Sequence, residues 1–211
     1  MAPPSDLGGV PPGFHERLVV GYHGCERATA RRLLLGEEEL TPSSNDYDWL
    51  GNGIYFWEHG LARAQQFAEE KRERGVLKDP VVLGAYVQLG LCLDLTDVWA
   101  TRLLARHFDL LRRELAEERK PLPVNVSPSA AVGDLLLRRL DCAVINWCLT
   151  TTEAESRALG LGRGFDTVRG VFEEGPPAFP GAAVRQKSHV QIAVRNRACI
   201  LGLFRPVGYT L

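Results

Sequence analysis

The 211-residue sequence predicts an α+β fold, and three observations carry the prediction. Apolar alternation near both ends and helical spacing through the middle give the order strand, helix, helix, strand, two long helices, then a run of strands. That grouping departs from regular βαβ alternation. The G-x-G-x-x-G fingerprint of a doubly wound dinucleotide fold is absent, since "GLGRG" at 160–164 has neither the spacing nor a helix behind it. The composition, 45% hydrophobic and 24% charged, is that of a packed domain.

The elements follow from local pattern. "RLVVGYHG" (17–24) reads as a buried strand closed by glycine. "ERATARRLLLGEEEL" places Ala28, Ala30, Leu33 and Leu34 on one helical face, with Gly36 as the stop. "TPSSNDYDW" is a loop of turn formers. Residues 61–75 form a second helix, with Leu61, Ala64, Phe67 and Ala68 inward and Gly75 ending it. Residues 80–97 read as a strand or a bent strand pair. Residues 97–119 are an amphipathic helix with Leu103, Leu104, Phe108, Leu111 and Leu115 inward and Arg112, Arg113, Glu117 and Glu118 solvated. Prolines interrupt 121–128, and a helix resumes from Ser129. In the last third, strands at 166–173 and 188–195 flank a Gly/Pro-rich loop; in "HVQIAVR" Val190, Ile192 and Val194 share one side, His189, Gln191 and Ala193 the other. Residues 1–14, rich in proline and glycine, are expected as a flexible lead-in, and 15–211 as one domain with a helical insertion near 97–150.

A formal net charge of −1 argues against global attraction to nucleic acid or a membrane. The cysteines Cys25, Cys92, Cys142, Cys148 and Cys199 form no C-x-x-C pair and are expected as reduced, buried thiols, with no metal site and no disulfide frame. The first residues lack the basic and apolar regions of a signal peptide, and no apolar run is long enough to span a membrane; the expected location is the cytoplasm.

One stretch resists explanation as core. "WLGNGIYFWEHG" (49–60) interleaves Trp49, Tyr55 and Trp57 with glycines, joining close backbone approach to flat rings, as a surface receiving a planar ligand requires. Read with "YHG" at 22–24 and "HVQI" at 189–192, this stretch resembles the ADP-ribosyltransferase superfamily, in its diphtheria-toxin-like and poly(ADP-ribose)-polymerase-like branch. That branch carries a His-Gly pair, a Tyr opening a G-x-Y-F strand, and a Glu on a later strand. The resemblance runs continuously over 21–68 and extends through 172–195. It implies a split, mainly antiparallel sheet around an NAD cleft, with His23, Tyr55 and Gln191 catalytic and His23, Gly24, Gly53, Tyr55 and Trp49 binding NAD. NAD would be a co-substrate, and no metal is implied.

The chemistry matches those residue types. Departure of nicotinamide leaves positive charge at the ribose C1′, so the site must hold the carboxamide, stack the ring and fix the riboses. Gly24 offers unobstructed backbone to the carboxamide, Tyr55 a face to the ring. His23 is expected to donate one ring N–H to a ribose hydroxyl while its other nitrogen accepts a bond from the protein.

Gln191 stands where the family carries glutamate, with His189 two residues before it, at a position that orients the acceptor in parts of the superfamily. Glutamine hydrogen-bonds a ribose hydroxyl but has neither the charge to stabilise C1′ nor the basicity to take a proton, a loss on the order of a hundredfold or more in rate. Glu173 and Glu174, before that strand, are candidates to restore the charge, and Glu58 is a weaker one. Phe179, Arg185 and Lys187 are candidates to meet an acceptor's base or phosphate. The resemblance thus implies mono-ADP-ribosyl transfer to a protein or nucleic-acid acceptor, glutamine arguing against chain elongation. It also implies, for a toxin-like member, an antitoxin or inhibitor as partner. NAD glycohydrolysis and an inactive NAD- or ADP-ribose-binding module are the alternatives.

Overall fold

The computed structural model describes residues 14–127 and 134–209. They form a mixed α+β protein with a mainly antiparallel six-stranded sheet and four α-helices. In chain order these are β1 (Phe14–Glu26), α1 (Arg27–Leu35), β2 (Ile54–Glu58), α2 (Leu61–Glu73), β3 (Pro80–Asp94), α3 (Val98–Glu117), β4 (Asn125–Val126), β5 (Leu137–Arg138), α4 (Arg139–Ala158), β6 (Thr167–Phe172), β7 (His189–Val194) and β8 (Ile200–Phe204), with a 3₁₀ turn at Arg197–Cys199.

The sheet runs β1-β2-β7-β6-β3-β8, and β1 also pairs with β3, so the hydrogen-bonded neighbours close on themselves. Every pairing in it is antiparallel except β3–β6. The length of β3 allows this. Its first part lies between β1 and β8, and its last residues, Cys92–Asp94, run beside Thr167–Arg169 of β6. β1 and β2 meet only at Gly21↔Glu58 and Tyr22↔Trp57, and beyond that pair the sheet splits.

Among the described residues two larger apolar cores and a smaller one, of Trp57, Ala64 and Val82 under α2, hold these layers. Leu33 of α1 packs with Val19, Phe56, Leu83 and Ile192 on one side of the sheet. Ile145 and Leu149 of α4 pack with Leu50, Leu93, Val168 and Phe172 on the other. All five cysteines are buried free thiols; burial pushes Cys25 up to about 11 and Cys92 to about 12, so both stay protonated. Among the described residues no helix is long and apolar enough to cross a membrane.

Helix boundaries mostly follow the local signals. Gly36 adopts a left-handed φ of 71° and its N–H reaches Leu33 O, ending α1. Asp97 caps α3 by accepting from Trp99 N. The helix expected from Ser129 is a correction. Residues 128–133 lie outside the described residues, Leu137–Arg138 pair as a strand with Asn125–Val126, and α4 starts only at Arg139. The reason is a cap from a distant residue: Asn125 Oδ1 accepts from Leu140 N at 2.9 Å and Asp141 N at 3.3 Å, satisfying first-turn donors. On α3, Leu111 is buried but Leu103, Leu104, Phe108 and Leu115 are only half-buried. His107, missed by the hydrophobic pattern, is buried and bonded to Thr151 Oγ1 at 3.0 Å.

A nearly buried ion cluster joins three strands. Arg169 of β6 makes a two-pronged contact with Glu58 at the end of β2 and reaches Asp94 at the end of β3 at 3.2 Å. All three side chains are about a tenth exposed, at 11%, 9% and 8%. Arg169→Met leaves Glu58 without its charged partner and Asp94 with only Arg17, at 3.9 Å, and its bonds from Thr96, and should cost about 3–5 kcal/mol of stability, read as a lowered urea midpoint.

Candidate functional site

The split between β1 and β2 opens a cleft of about 590 Å³. Its walls come from the ends of β1, β2 and β7, from one face of α2, from the 41–49 loop, from Leu136–Leu137 and from Glu174. Of the residues singled out from sequence, His23, Gly24, Trp49, Gly53, Tyr55, Glu174, His189 and Gln191 all line it. Strand order explains the convergence. β1, β2 and β7 are consecutive neighbours, Trp57 pairs with Gln191 in register, and Phe172 with His189.

His23 bridges the split. Its Nδ1 lies 2.8 Å from the Tyr55 carbonyl oxygen, which no longer has a ladder partner on β1. A carbonyl only accepts, so Nδ1 carries the proton. Burial lowers the His23 pKa; the Tyr55 carbonyl raises it in part, and Lys71 lowers it further. The neutral ring therefore presents Nε2 as an acceptor, which corrects the sequence expectation of a donor. A ribose hydroxyl would donate to His23. Gly24 has a second duty, because α2 packs against it: a Cβ there would sit 2.9 Å from both Ala64 O and Ala68 Cβ.

Tyr55 is held through its hydroxyl, which donates to Gly51 O at 2.8 Å and accepts from Leu50 N at 3.0 Å. Burial first, then the nearby Asp48, raises its pKa and keeps the phenol protonated. Gly51 turns the chain at φ 77°, and a Cβ there would meet Asn146 Oδ1 at 2.7 Å. The loop is pinned further by Ser43 and Gly53, whose backbones exchange two hydrogen bonds, and by Asn146 Oδ1 accepting from Asn52 N. With its hydroxyl committed to the loop, Tyr55 has only its ring to offer a ligand.

Trp49 Nε1 donates to Gln191 Oε1 at 2.6 Å. That bond takes one of the two lone pairs of the amide oxygen, so Gln191 keeps its Nε2 hydrogens and the second lone pair for a ligand. The Trp49 indole is itself wedged edge-on against Phe172 at 5.1 Å, with the Arg138 guanidinium 4.1 Å from the Phe172 ring centre.

The acidic candidates separate. Glu174 lines the cleft and pairs with Arg63 at 2.8 Å. Glu173 is exposed and does not line it, and Glu58 is committed to Arg169. The loop before β7 is tied down by charge, with Lys187 on Glu70 at 2.9 Å and Arg185 on Asp134 at 2.6 Å; Asp134 also accepts from Gly175 N. Both basic residues expected to meet a phosphate are thus engaged by carboxylates, while Phe179 remains 64% exposed.

Sequence reasoning missed the α2 wall. Arg63, Phe67, Glu70, Lys71 and Arg74 all line the cleft. Their spacing places them on one helical stripe. Phe67 faces inward as its spacing with Leu61, Ala64 and Ala68 predicts, packing on Trp57 at 4.8 Å, and it lines the cleft as well. An aromatic inside a stripe of charged residues was the available signal.

No family model matches the chain, and no solved structure matches it. A relative among curated proteins, the uncharacterized protein MJ0359 of Methanocaldococcus jannaschii, is 29% identical over 154 residues, covering 72% of this chain. The match spans 63% of that relative's own length.

Two outcomes follow from the geometry. Tyr55→Phe removes both bonds to the 50–51 turn and should cost about 1–3 kcal/mol by chemical denaturation. Burial lowers the pKa values of His23, His107 and His189, so the unfolded chain binds more protons below about pH 6.5. Stability contributed by the neutral rings is therefore complete above that pH and falls as the pH drops towards the folded-state values. The melting temperature should decrease between about pH 7.5 and about pH 5.5.

Proposed function

We propose that this protein is an NAD-dependent mono-ADP-ribosyltransferase of the ADP-ribosyltransferase superfamily, acting on a macromolecular acceptor with release of nicotinamide. The observation that carries the proposal is the convergence of His23, Tyr55 and Gln191, from three consecutive strands, on one cleft large enough for an extended ligand.

The residues present suit an NAD molecule. Gly53, Tyr55 and Phe67 all line the cleft, so a flat ring has close backbone and aromatic walls available to it. Gly24 supplies backbone polar groups to a carboxamide without side-chain obstruction. His23 Nε2 accepts from one ribose hydroxyl and Gln191 Nε2–H donates to another, which fixes the sugar whose C1′ reacts. Glu174 supplies the carboxylate that Gln191 lacks; its pairing with Arg63 holds it at the cleft wall.

The weak electrophilic assistance expected from Gln191 favours transfer to a positioned acceptor over rapid NAD hydrolysis, and it disfavours building a polymer. Glycohydrolysis remains the second reading, because the cleft that admits an acceptor also admits water.

Nicotinamide release from NAD, followed by proton NMR with and without total RNA or cell lysate, tests the proposal. Release should depend on the added acceptor, and His23→Ala and Tyr55→Ala should each reduce it by about 10²-fold or more. Gln191→Glu keeps an oxygen for Trp49 Nε1 and adds charge near C1′, so it should raise basal release by about tenfold or more. NAD binding with no release under any condition would leave a binding module; release independent of acceptor would establish the glycohydrolase.

A further inference from the structure

The cations that line the cleft fall into two groups. At the Glu174 end, Arg63 is held by Glu174 and Glu70, and Glu70 also takes Lys187. Near the end of α2 the positive charge is unmatched. Lys71 and Arg74 both line the cleft, and among the described residues neither forms an ion pair with a carboxylate. Lys71 is half-buried and Arg74 exposed, so each keeps surface with which to meet a ligand.

Basic residues in the last turn of a helix often serve only its unpaired carbonyls. Arg74 does so with one nitrogen, Nε donating to Glu70 O at 3.1 Å, which leaves its Nη groups. Lys71 is directed elsewhere. Its Nζ lies 4.7 Å from the centre of the Phe67 ring, itself a wall of the cleft, so the ammonium faces the opening.

The surroundings of Lys71 locate it further. Burial and the like charge of Arg74 lower its pKa, and Asp48 and Cys25 offset them only in part. Lys71 in turn lowers the pKa of His23. The ammonium therefore acts on the end of β1 and on the 41–49 loop. Neither nearby carboxylate neutralises it: Asp48 accepts from Asn45 N at 2.7 Å, and Glu73, exposed at the cleft wall, pairs with neither cation. Two like charges three residues apart on a partly desolvated wall repel each other while the cleft is empty. A ligand carrying two negative charges removes that repulsion and gains charge-assisted hydrogen bonds from both groups.

Reach decides which dianion. Between Arg63 and Arg74, α2 runs along the cleft for roughly 17 Å at about 1.5 Å per residue. A dinucleotide whose nicotinamide meets Tyr55 and whose first ribose meets His23 continues into a diphosphate, one negative charge on each phosphate. Lys71 is the cation beside His23 on that path, and Arg74 follows it.

We propose that Lys71 and Arg74 form a diphosphate subsite, so that α2 holds the dinucleotide by its two central phosphates while β1, β2 and β7 hold its reacting end. The proposal rests on the ADP-ribosyl-transfer reading above. The phosphates keep their charge as nicotinamide leaves, so these contacts are equally strong before and during the reaction. They raise affinity and select a dinucleotide over a nucleoside, and they leave the chemical step to the other walls.

The test uses the whole chain with NAD, nicotinamide riboside and, as a probe of the anion subsite alone, inorganic pyrophosphate. Pyrophosphate should compete with NAD for wild type, and nicotinamide riboside should react with a kcat/KM lower by about 10²-fold or more. Lys71→Gln and Arg74→Gln should each weaken calorimetric NAD affinity by about tenfold, KM rising in step and kcat staying within about threefold. The double variant should escape inhibition by pyrophosphate and lose less affinity than wild type on addition of salt, with a melting transition like wild type's showing that it is folded. NAD affinity and KM within about twofold of wild type in the double variant would overturn the proposal and leave the transferase reading standing. So would a double variant impaired only in RNA-dependent release, which would assign both cations to a nucleic-acid acceptor. A wild type that binds NAD and pyrophosphate through these residues yet releases no nicotinamide with any acceptor would keep the subsite and overturn the transferase reading. Binding of neither ligand would overturn both.

Discussion

The cleft exists because β1 and β2 stop pairing after Tyr22 and Trp57, and that divergence must be satisfied chemically. A carbonyl at the fork of two strands has lost its ladder donor, and a buried, unpaired carbonyl is expensive. The His23 imidazole takes the place of the missing backbone N–H on the Tyr55 carbonyl. One bond therefore ends the sheet cleanly, fixes the ring's tautomer and turns Nε2 into an acceptor at the cleft. The bond between His23 and the Tyr55 carbonyl is thus a structural necessity.

The remaining walls are held by a division of labour between committed and uncommitted groups. The Tyr55 hydroxyl, the Gln191 amide oxygen, Lys187 and Arg185 are all spent on internal contacts that position the rings and the loop before β7. Among the described residues, four of the six buried side-chain polar atoms without a hydrogen-bond partner belong to Trp57, Arg63 and His189. The network of opposite charges on α2 and the loop before β7 keeps that region close to neutral.

Much of this architecture was readable before any coordinates. Gly36 ends α1 and Asp97 caps α3 as their types suggest, and the alternation of "HVQIAVR" correctly set His189 and Gln191 on one face. The failures share a cause, which is partners distant in sequence. Asn125 caps α4 across fourteen intervening residues, so no window around Ser129 reveals where that helix starts. Glu173 and Glu174 are adjacent and equivalent in sequence; only the position of Arg63 on α2 draws Glu174 into the cleft. The direction of the His23 hydrogen bond depends on a carbonyl 32 residues away. Phe67 packs against the Trp57 cluster as its spacing predicts, and it is also a cleft wall because α2 borders the cleft.

By itself the sequence determined the α+β class, the places of most long elements and most of the residues that gather in the cleft, because periodicity, caps and turn residues are local physics; its order of elements left out β2, which is a strand because it lies between β1 and β7. Which of those residues donate, accept or remain free was decided only by the tertiary structure. A hydrogen-bonding group has a fixed number of valences, and how many are left for a ligand depends on the neighbours that folding brings to it. Gln191 and His189 illustrate the point on one strand: Trp49 Nε1 takes up one acceptor site of the first, while the Lys187 carbonyl fixes which nitrogen of the second carries the proton.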